Sequence, residues 1–328
     1  MTSASIFGAG SWGTAIAYLL ASQDYSVALW GRDEALIATI NQTHCNKDYL
    51  EKTKLPQHVE ATTKLEQASH SDVWILAVPS FAVRGLCEQL KPFCQSSTIV
   101  INLAKGLEAD TLKTMSQVMA EVLPTELVYT LSGPSHAEEV GLDFPTSIVL
   151  AGENLEIGKK LQEMFKTKRF RPYLSQDLLG VEYAGTTKNV IALVSGIVDG
   201  LGFGDNAKGA LISRGLAEMV RLGTKLGTKQ ETWFGLSGLG DLVTTCASQH
   251  SRNRFVGEQL GKGRSLDDII ESMNMVAEGV FATKTIYTLA QAHDIEMPIT
   301  KACYEVLYEN ATPLEKLTEL MTRQLKME

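Results

Sequence analysis

The chain has 328 residues, 44% of them hydrophobic and 21% charged. That length and apolar content suit two packed domains and exclude a disordered chain. With 30 Lys and Arg against 38 Asp and Glu the net charge is −8, which argues against a nucleic-acid or anionic-membrane partner, since both select a basic face.

Short apolar runs come first. Ser5–Phe7, Ser26–Trp30, Val73–Val78, Thr98–Leu103, Leu127–Leu131 and Ser147–Leu150 read as six strands. Continuous Val, Ile and Leu without alternation suits strands covered on both faces. Helical stretches such as Thr14–Ser22 and Ser80–Leu90 lie between them. This alternation predicts an α/β class with a mostly parallel sheet. Ligands bind such sheets beyond the carboxyl ends of the strands, so Gly8, Arg32, Pro79, Lys105 and Ser135 are expected on one rim. After Pro172 the strand pattern fades. Helical periodicity takes over at Leu178–Val198, Ala207–Leu226, Leu266–Met273, Ala282–His293, Lys301–Tyr308 and Leu314–Lys326. The expected boundary lies near Ser175–Leu178, giving domains 1–176 and 177–328, the second all-helical.

The segment Gly8-Ala9-Gly10-Ser11-Trp12-Gly13 follows the first strand and opens an Ala-rich helix. In that context GxGxxG reads as a dinucleotide fingerprint rather than a bare turn. Gly8 makes the tight turn, Gly10 lets backbone approach a pyrophosphate, and Gly13 lets helix and strand pack closely. Free N–H groups at the helix start would bind the phosphates. At the end of the second strand, Arg32 is placed for a 2′-phosphate, which favours NADP(H) while leaving NAD(H) possible. A solvated surface arginine is the alternative. Asp33 reads either as a ribose acid or as the N-cap of the next helix.

Lys188 lies inside the first long helix among small and apolar neighbours. It either snorkels to the surface or sits in a cleft. A lysine desolvated beside a second cation, for which Lys105 is a candidate, loses its proton readily enough to act as an acid or base. The five cysteines form an odd set without CxxC spacing, and the six histidines are not paired at metal spacing. Free thiols in a reducing compartment and no metal site are expected. The start MTSASIFGAG has no basic and apolar leader, and VWILAV and VIALVSGIV are too short to span a bilayer. No membrane insertion is expected.

Several motifs occur in chain order: GAGSWGTAIA at the start, Asn102-Leu103-Ala104-Lys105-Gly106, LSGPS at 131–135, Lys188-Asn189, Asp199-Gly200-Leu201-Gly202, and Ser213-Arg214-Gly215-Leu216-Ala217-Glu218. They end in GLSGLGDLVTTCASQHSRNRF, residues 235–255. Together they closely resemble the soluble, bacterial-type NAD(P)-dependent glycerol-3-phosphate dehydrogenases over almost the whole chain. The resemblance implies a Rossmann-like N-terminal domain and a helical substrate-binding and catalytic domain. It implies reversible reduction of dihydroxyacetone phosphate to sn-glycerol 3-phosphate, feeding glycerophospholipid synthesis in the cytoplasm, by a homodimer. It assigns Lys188 as the acid/base at the C2 oxygen and Lys105 to substrate and cofactor. Asn189, Asp241 and Thr245 line the reacting centre. Ser251, Arg252 and Asn253 grip the substrate phosphate, and Gly133 and Ser135 belong to the substrate site. Ser11, Trp12, Arg32, Ala137, Arg252, Val276 and Glu278 contact cofactor. Two positions depart from the family pattern: His136 stands where an aromatic residue is usual, and Thr187 where an aliphatic one is common.

The residue chemistry agrees with those roles. Arg252 offers a planar fork for phosphate oxygens, and a helix starting near Ser251 would add N–H donors. A solvated charged face is the alternative for Arg252 and, more so, for Arg254. Asp241 suits orienting Lys188 or accepting a substrate hydroxyl; a plain turn acid after Gly240 is the alternative. Gly235, Gly238 and Gly240 allow tight turning, and Cys246 is given no chemistry. A related dehydrogenase acting on another small hydroxy acid or phosphate is the rival enzyme. A non-catalytic NAD(P) sensor is the rival from another class, but it would need no Lys188, Asp241 and Arg252.

Overall fold

The computed structural model describes residues 3–273 and 275–324. The chain forms two compact units. One contains the residues up to Glu108 together with Lys113–Glu182; the other contains Ala109–Leu112 and the residues from Tyr183 onward.

The first unit is built on an eight-stranded sheet in the order β3-β2-β1-β4-β5-β6-β7-β8. The strands are β1 (Ser3–Phe7), β2 (Ser26–Trp30), β3 (Val59–Thr62), β4 (Val73–Leu76), β5 (Ile99–Asn102), β6 (Val128–Ser132), β7 (Thr146–Gly152) and β8 (Phe170–Ser175). Every pairing is parallel except that of β6 with β7. The helices of this unit are α1 (Ser11–Ala21), α2 (Glu34–Thr43), α3 (Leu65–Ala68), α4 (Val83–Leu90), α5 (Met115–Val122), α6 (Ala137–Gly141) and α7 (Leu155–Phe165). Both faces of the sheet are covered, as the uninterrupted apolar runs require. Ile6, Leu29, Ile75 and Ile101 enter one core, and their neighbours Phe7, Trp74, Leu76 and Val100 enter the other.

Chain order reverses between β1 and β4, which makes the carboxyl ends of those strands a topological switch point. The mostly parallel sheet is the one expected, with two strands added. β3 and β8 are its edges, and edge strands do not read as continuous apolar runs. β3 alternates buried and exposed residues. β8 contains Pro172, which an edge tolerates because no outer partner needs its N–H. The strand pattern therefore continues past Pro172 to Ser175. The helix expected at Ser80 opens as a 3-10 turn, Ser80–Ala82, directly after Pro79.

The regular structure of the second unit is helical among its described residues. Its central element is α8 (Leu178–Gly200), whose first turns belong to the first unit. Val181 to Val198 are buried on every side of the helix, the polar Glu182, Lys188 and Asn189 among them. Around it are α9 (Asp205–Lys225), α10 (Gln230–Phe234), α11 (Asp241–Ala247), α12 (Arg252–Gly261), α13 (Leu266–Glu271), α14 (Glu278–Ala292), α15 (Pro298–Tyr308) and α16 (Pro313–Met321). Residues 325 and 326 of the last expected helix lie outside the described residues. None of the described helices is long and apolar enough to cross a membrane.

Helices α8 and α12 touch through glycines. A Cβ on Gly196 would collide with the Arg254 carbonyl oxygen, and one on Gly257 with the Leu193 carbonyl oxygen. Gly200 and Gly261 repeat the arrangement one turn on. Only residues without side chains allow backbones this close.

Candidate active site

In the first unit the glycine turn sits at the switch point. Gly8 has φ +126°, and a Cβ there would lie 2.6 Å from the Ala77 carbonyl oxygen. A Cβ on Gly13 would strike the Gly8 carbonyl oxygen. Both glycines are needed for internal packing. Gly10 differs, because a Cβ there would meet nothing within 4 Å. Its small size keeps an outer surface open. Gly10 is also the N-cap of α1, and no side chain caps that helix. Ser11, Trp12 and Gly13 lie in the first turn, where amides lack intrahelical acceptors and suit an anion. An open glycine beside an uncapped helix start fits a dinucleotide pyrophosphate.

Asn46, fully buried, braces this turn by donating to the Ala9 carbonyl at 2.9 Å and to Thr14 Oγ1 at 2.8 Å. No sequence signal marked it, since its partners lie more than 30 positions away. At the end of β2, Arg32 is exposed. Asp33 caps α2, accepting from the amides of Ala35 at 2.9 Å and Leu36 at 3.1 Å. Of its two readings the N-cap is the one seen.

Lys105 follows β5 and is half-buried. Its Nζ donates to the Gly133 carbonyl at 3.1 Å, and Ser135 Oγ donates to the same oxygen at 2.9 Å. Gly133 has φ +149°, and a Cβ there would lie 3.2 Å from Ile148 Cα. Ala137 is the first residue of α6 and is buried.

The second unit gathers Lys188, Asp241 and Thr245. Lys188 Nζ donates to Thr245 Oγ1 at 2.7 Å and pairs with Asp241 Oδ1 at 3.1 Å. All three are at least 95% buried, at 5%, 2% and 4% exposure. The Thr245 hydroxyl points back to Asp241, at 2.6 Å from its carbonyl and 3.1 Å from its carboxylate. Lys188 therefore does not snorkel. Within its own unit its ammonium faces a carboxylate and a hydroxyl. Asp241 opens α11 directly after the π-turn Leu236–Gly240. Gly238 in that turn lies against the Trp233 backbone, which lets the chain fold back over a buried indole.

Asn189 lies next to Lys188. Its Oδ1 accepts from Asn253 Nδ2 at 2.8 Å, while Asn253 Oδ1 accepts from the Gly279 amide at 2.8 Å. Asn253 thus ties α12 to α8 and to the first turn of α14, where Glu278 sits. Ser251 is the N-cap of α12, accepting from the Arg254 amide at 3.2 Å. Arg252 is exposed and donates to the Val276 carbonyl at 3.0 Å. Arg254 is engaged elsewhere, with Asp199 at 2.7 Å and Glu258 at 3.6 Å. Cys246 is a buried free thiol, pushed up to about 12 by burial.

A doubly wound sheet with an open glycine turn at its switch point, followed by a helical unit holding a buried ammonium, is the layout of a dinucleotide-dependent dehydrogenase. The family comparisons agree. Residues 3–158 match the NAD-dependent glycerol-3-phosphate dehydrogenase N-terminus and residues 177–318 the corresponding C-terminus. The chain belongs to that family. Among similar proteins is the glycerol-3-phosphate dehydrogenase [NAD(P)+] of Bacillus licheniformis, 50% identical over 98% of this chain and 95% of that protein. Another is glycerol-3-phosphate dehydrogenase [NAD(P)+] 1 of Salinibacter ruber, 47% identical over 100% of this chain and 97% of that protein. The crystal structure of glycerol-3-phosphate dehydrogenase from Coxiella burnetii superimposes with a TM-score of 0.95 at 37% identity, covering 98% of this chain and 99% of that one.

Proposed function

We propose that this oxidoreductase interconverts dihydroxyacetone phosphate and sn-glycerol 3-phosphate, with Lys188 as general acid/base. The observation that carries the role of Lys188 is its burial against Asp241 and Thr245. When bound, the nicotinamide cofactor supplies the hydride for reduction at C2 and takes it back in oxidation. In reduction Lys188 gives its Nζ proton to the C2 oxygen as the carbonyl becomes an alkoxide; in oxidation it recovers that proton. Asp241 offsets the buried ammonium charge and fixes its direction, and Thr245 holds it from the other side. Asn189 lines the same centre.

Ser251, Arg252 and Asn253 hold the substrate phosphate at the start of α12, where N–H dipoles add to the guanidinium. Lys105 brings a second cation to the anionic substrate, alongside Gly133 and Ser135. Gly8, Gly10, Ser11, Trp12 and Gly13 would hold the pyrophosphate. Ala137, Arg252, Val276 and Glu278 would contact the rest of the cofactor. Arg32, exposed beside a cap-engaged Asp33, favours NADP(H) over NAD(H). In this reading the product feeds glycerophospholipid synthesis in the cytoplasm, and the working form is a homodimer, as the family resemblance implies.

The test is loss of nicotinamide absorbance on adding dihydroxyacetone phosphate. Lys188→Ala should lower kcat by about 10³-fold while binding NADPH as the wild type does; near-normal turnover removes Lys188 from the chemistry. Arg32→Ala should weaken NADPH about tenfold more than NADH, the size of one lost charge-assisted hydrogen bond. Equal losses in fluorescence titrations of the two cofactors reject the 2′-phosphate contact.

A further inference from the structure

Glu182 is a carboxylate buried in the first unit, 4% exposed, at a place that the roles above do not use. Hydrogen bonds from three segments converge on it. Oε1 accepts from Asn102 Nδ2 at 3.1 Å, the Ser116 amide at 2.9 Å and Thr130 Oγ1 at 3.0 Å. Oε2 accepts from Ser116 Oγ at 2.5 Å. These donors come from the end of β5, the first turn of α5 and the middle of β6. Burial pushes the Glu182 carboxyl above its ordinary range, against the opposing effect of the Ser116, Thr114 and Thr130 hydrogen bonds. A group this costly to bury persists only where its hydrogen bonds hold something in place.

Asn102 and Thr130 are the roots of two loops. Asn102 folds its side chain over the turn that follows, accepting from the Ala104 amide at 2.9 Å and donating to the Ala104 carbonyl at 3.0 Å. Lys105 is the next residue. Thr130 lies three positions before Gly133, whose carbonyl receives the Lys105 ammonium. Downstream, Glu108 is held by a two-pronged Arg84 contact at 2.6 and 2.9 Å. Lys105 therefore sits on a turn clamped at both ends, with Glu182 bonding the upstream clamp and the strand that leads to its acceptor.

We propose that Glu182 is a positioning residue for Lys105, setting the ammonium toward the substrate through Asn102 and Thr130. The inference rests on the substrate role proposed for Lys105. In Glu182→Gln an amide NH₂ replaces one acceptor oxygen, so one of the converging donors gives up its bond or, at the Ser116 hydroxyl, reverses it.

The experiment is a double-mutant cycle on kcat/KM for dihydroxyacetone phosphate, using wild type, Glu182→Gln, Lys105→Ala and the double variant. NADPH affinity and thermal melting are followed in each. Glu182→Gln alone should lose about tenfold in kcat/KM, mainly through KM, as one broken charge-assisted bond implies. In the Lys105→Ala background the same change should cost less than twofold. An equal loss in both backgrounds overturns the positioning role and leaves Lys105 standing. If Lys105→Ala itself keeps wild-type kcat/KM, the reading of Lys105 fails and the proposal with it. Should Glu182→Gln not fold, Thr130→Val removes one donor at constant shape. It must show the same non-additivity, and additivity there counts against the proposal equally.

Discussion

The carboxylate of Asp241 faces a buried ammonium 3.1 Å away, so a stability effect is expected of it beside the orienting role proposed above. Removing one partner of such a pair leaves an uncompensated charge and costs about 3–5 kcal/mol, whereas removing both is far cheaper. Asp241→Asn should therefore destabilise the protein by about 3 kcal/mol in urea titrations. Lys188→Met combined with Asp241→Asn should recover most of that loss while remaining inactive. Additive losses in the double variant would show that the two charges do not compensate each other. At this scale the sequence was informative only in part. Lys188 and Asp241 stand 53 positions apart, and from residue types alone each kept an ordinary alternative, a snorkelling lysine and a turn acid. Order and resemblance, not periodicity, drew them together. Asn46 and Glu182 could not be found that way, since an Asn or Glu carries no mark of the donors that will surround it.

Secondary structure was legible where burial is uniform. Strands β1, β2, β4, β5, β6 and β7 are apolar runs covered on both faces, and their signal survives in one dimension. β3 and β8 are edges, half exposed, and their alternation or a proline hides them. Small residues such as Gly196 in α8 suit a close crossing with α12, but nothing in one dimension pairs them with Gly257 and Gly261. This crossing sets the separation of Asn189 from Asn253, and, in the roles proposed above, that of the acid/base from the phosphate grip. Gly257→Ala places a methyl against the Leu193 carbonyl and must push the helices apart. The expected cost is about 1–3 kcal/mol from overpacking, with KM for dihydroxyacetone phosphate rising more than kcat falls. Gly209→Ala on α9 is the control, because a Cβ there meets nothing within 4 Å. It should stabilise the protein by up to about 1 kcal/mol through helix propensity. If both substitutions leave KM unchanged, the crossing does not set the substrate distance.

For the molecule as a whole, pH acts through its net charge and through single buried groups, and the two can be separated. The pI is about 5.4 and the charge at pH 7 is −8, so raising pH from 5 to 8 builds up general repulsion. Superimposed on this is Glu218 of α9. Its carboxylate accepts from the Ile299 amide at 2.5 Å, the Thr300 amide at 3.2 Å and the Thr300 hydroxyl at 3.1 Å, at the first turn of α15. Burial pushes it up to about 7, against the pull of those bonds and of Arg221. In the unfolded chain a glutamate titrates near ~4.3. Between the two values the folded protein keeps a proton that the unfolded chain has released. The stability this group contributes is therefore complete below ~4.3 and is lost as pH rises through about 7. From pH 5 to 8 the loss is on the order of 2 kcal/mol. Glu218→Gln cannot titrate, yet its net charge differs by a single unit, so the general repulsion nearly cancels in a comparison with the wild type. Its melting temperature should gain on that of the wild type as pH is raised from 5 to 8. The gain should flatten above pH 8, where Glu218 is ionised in both the folded and the unfolded chain. Melting curves that fall in parallel across this range would mean that the carboxylate is already charged at pH 5 and that its hydrogen bonds to α15 outweigh the cost of burial.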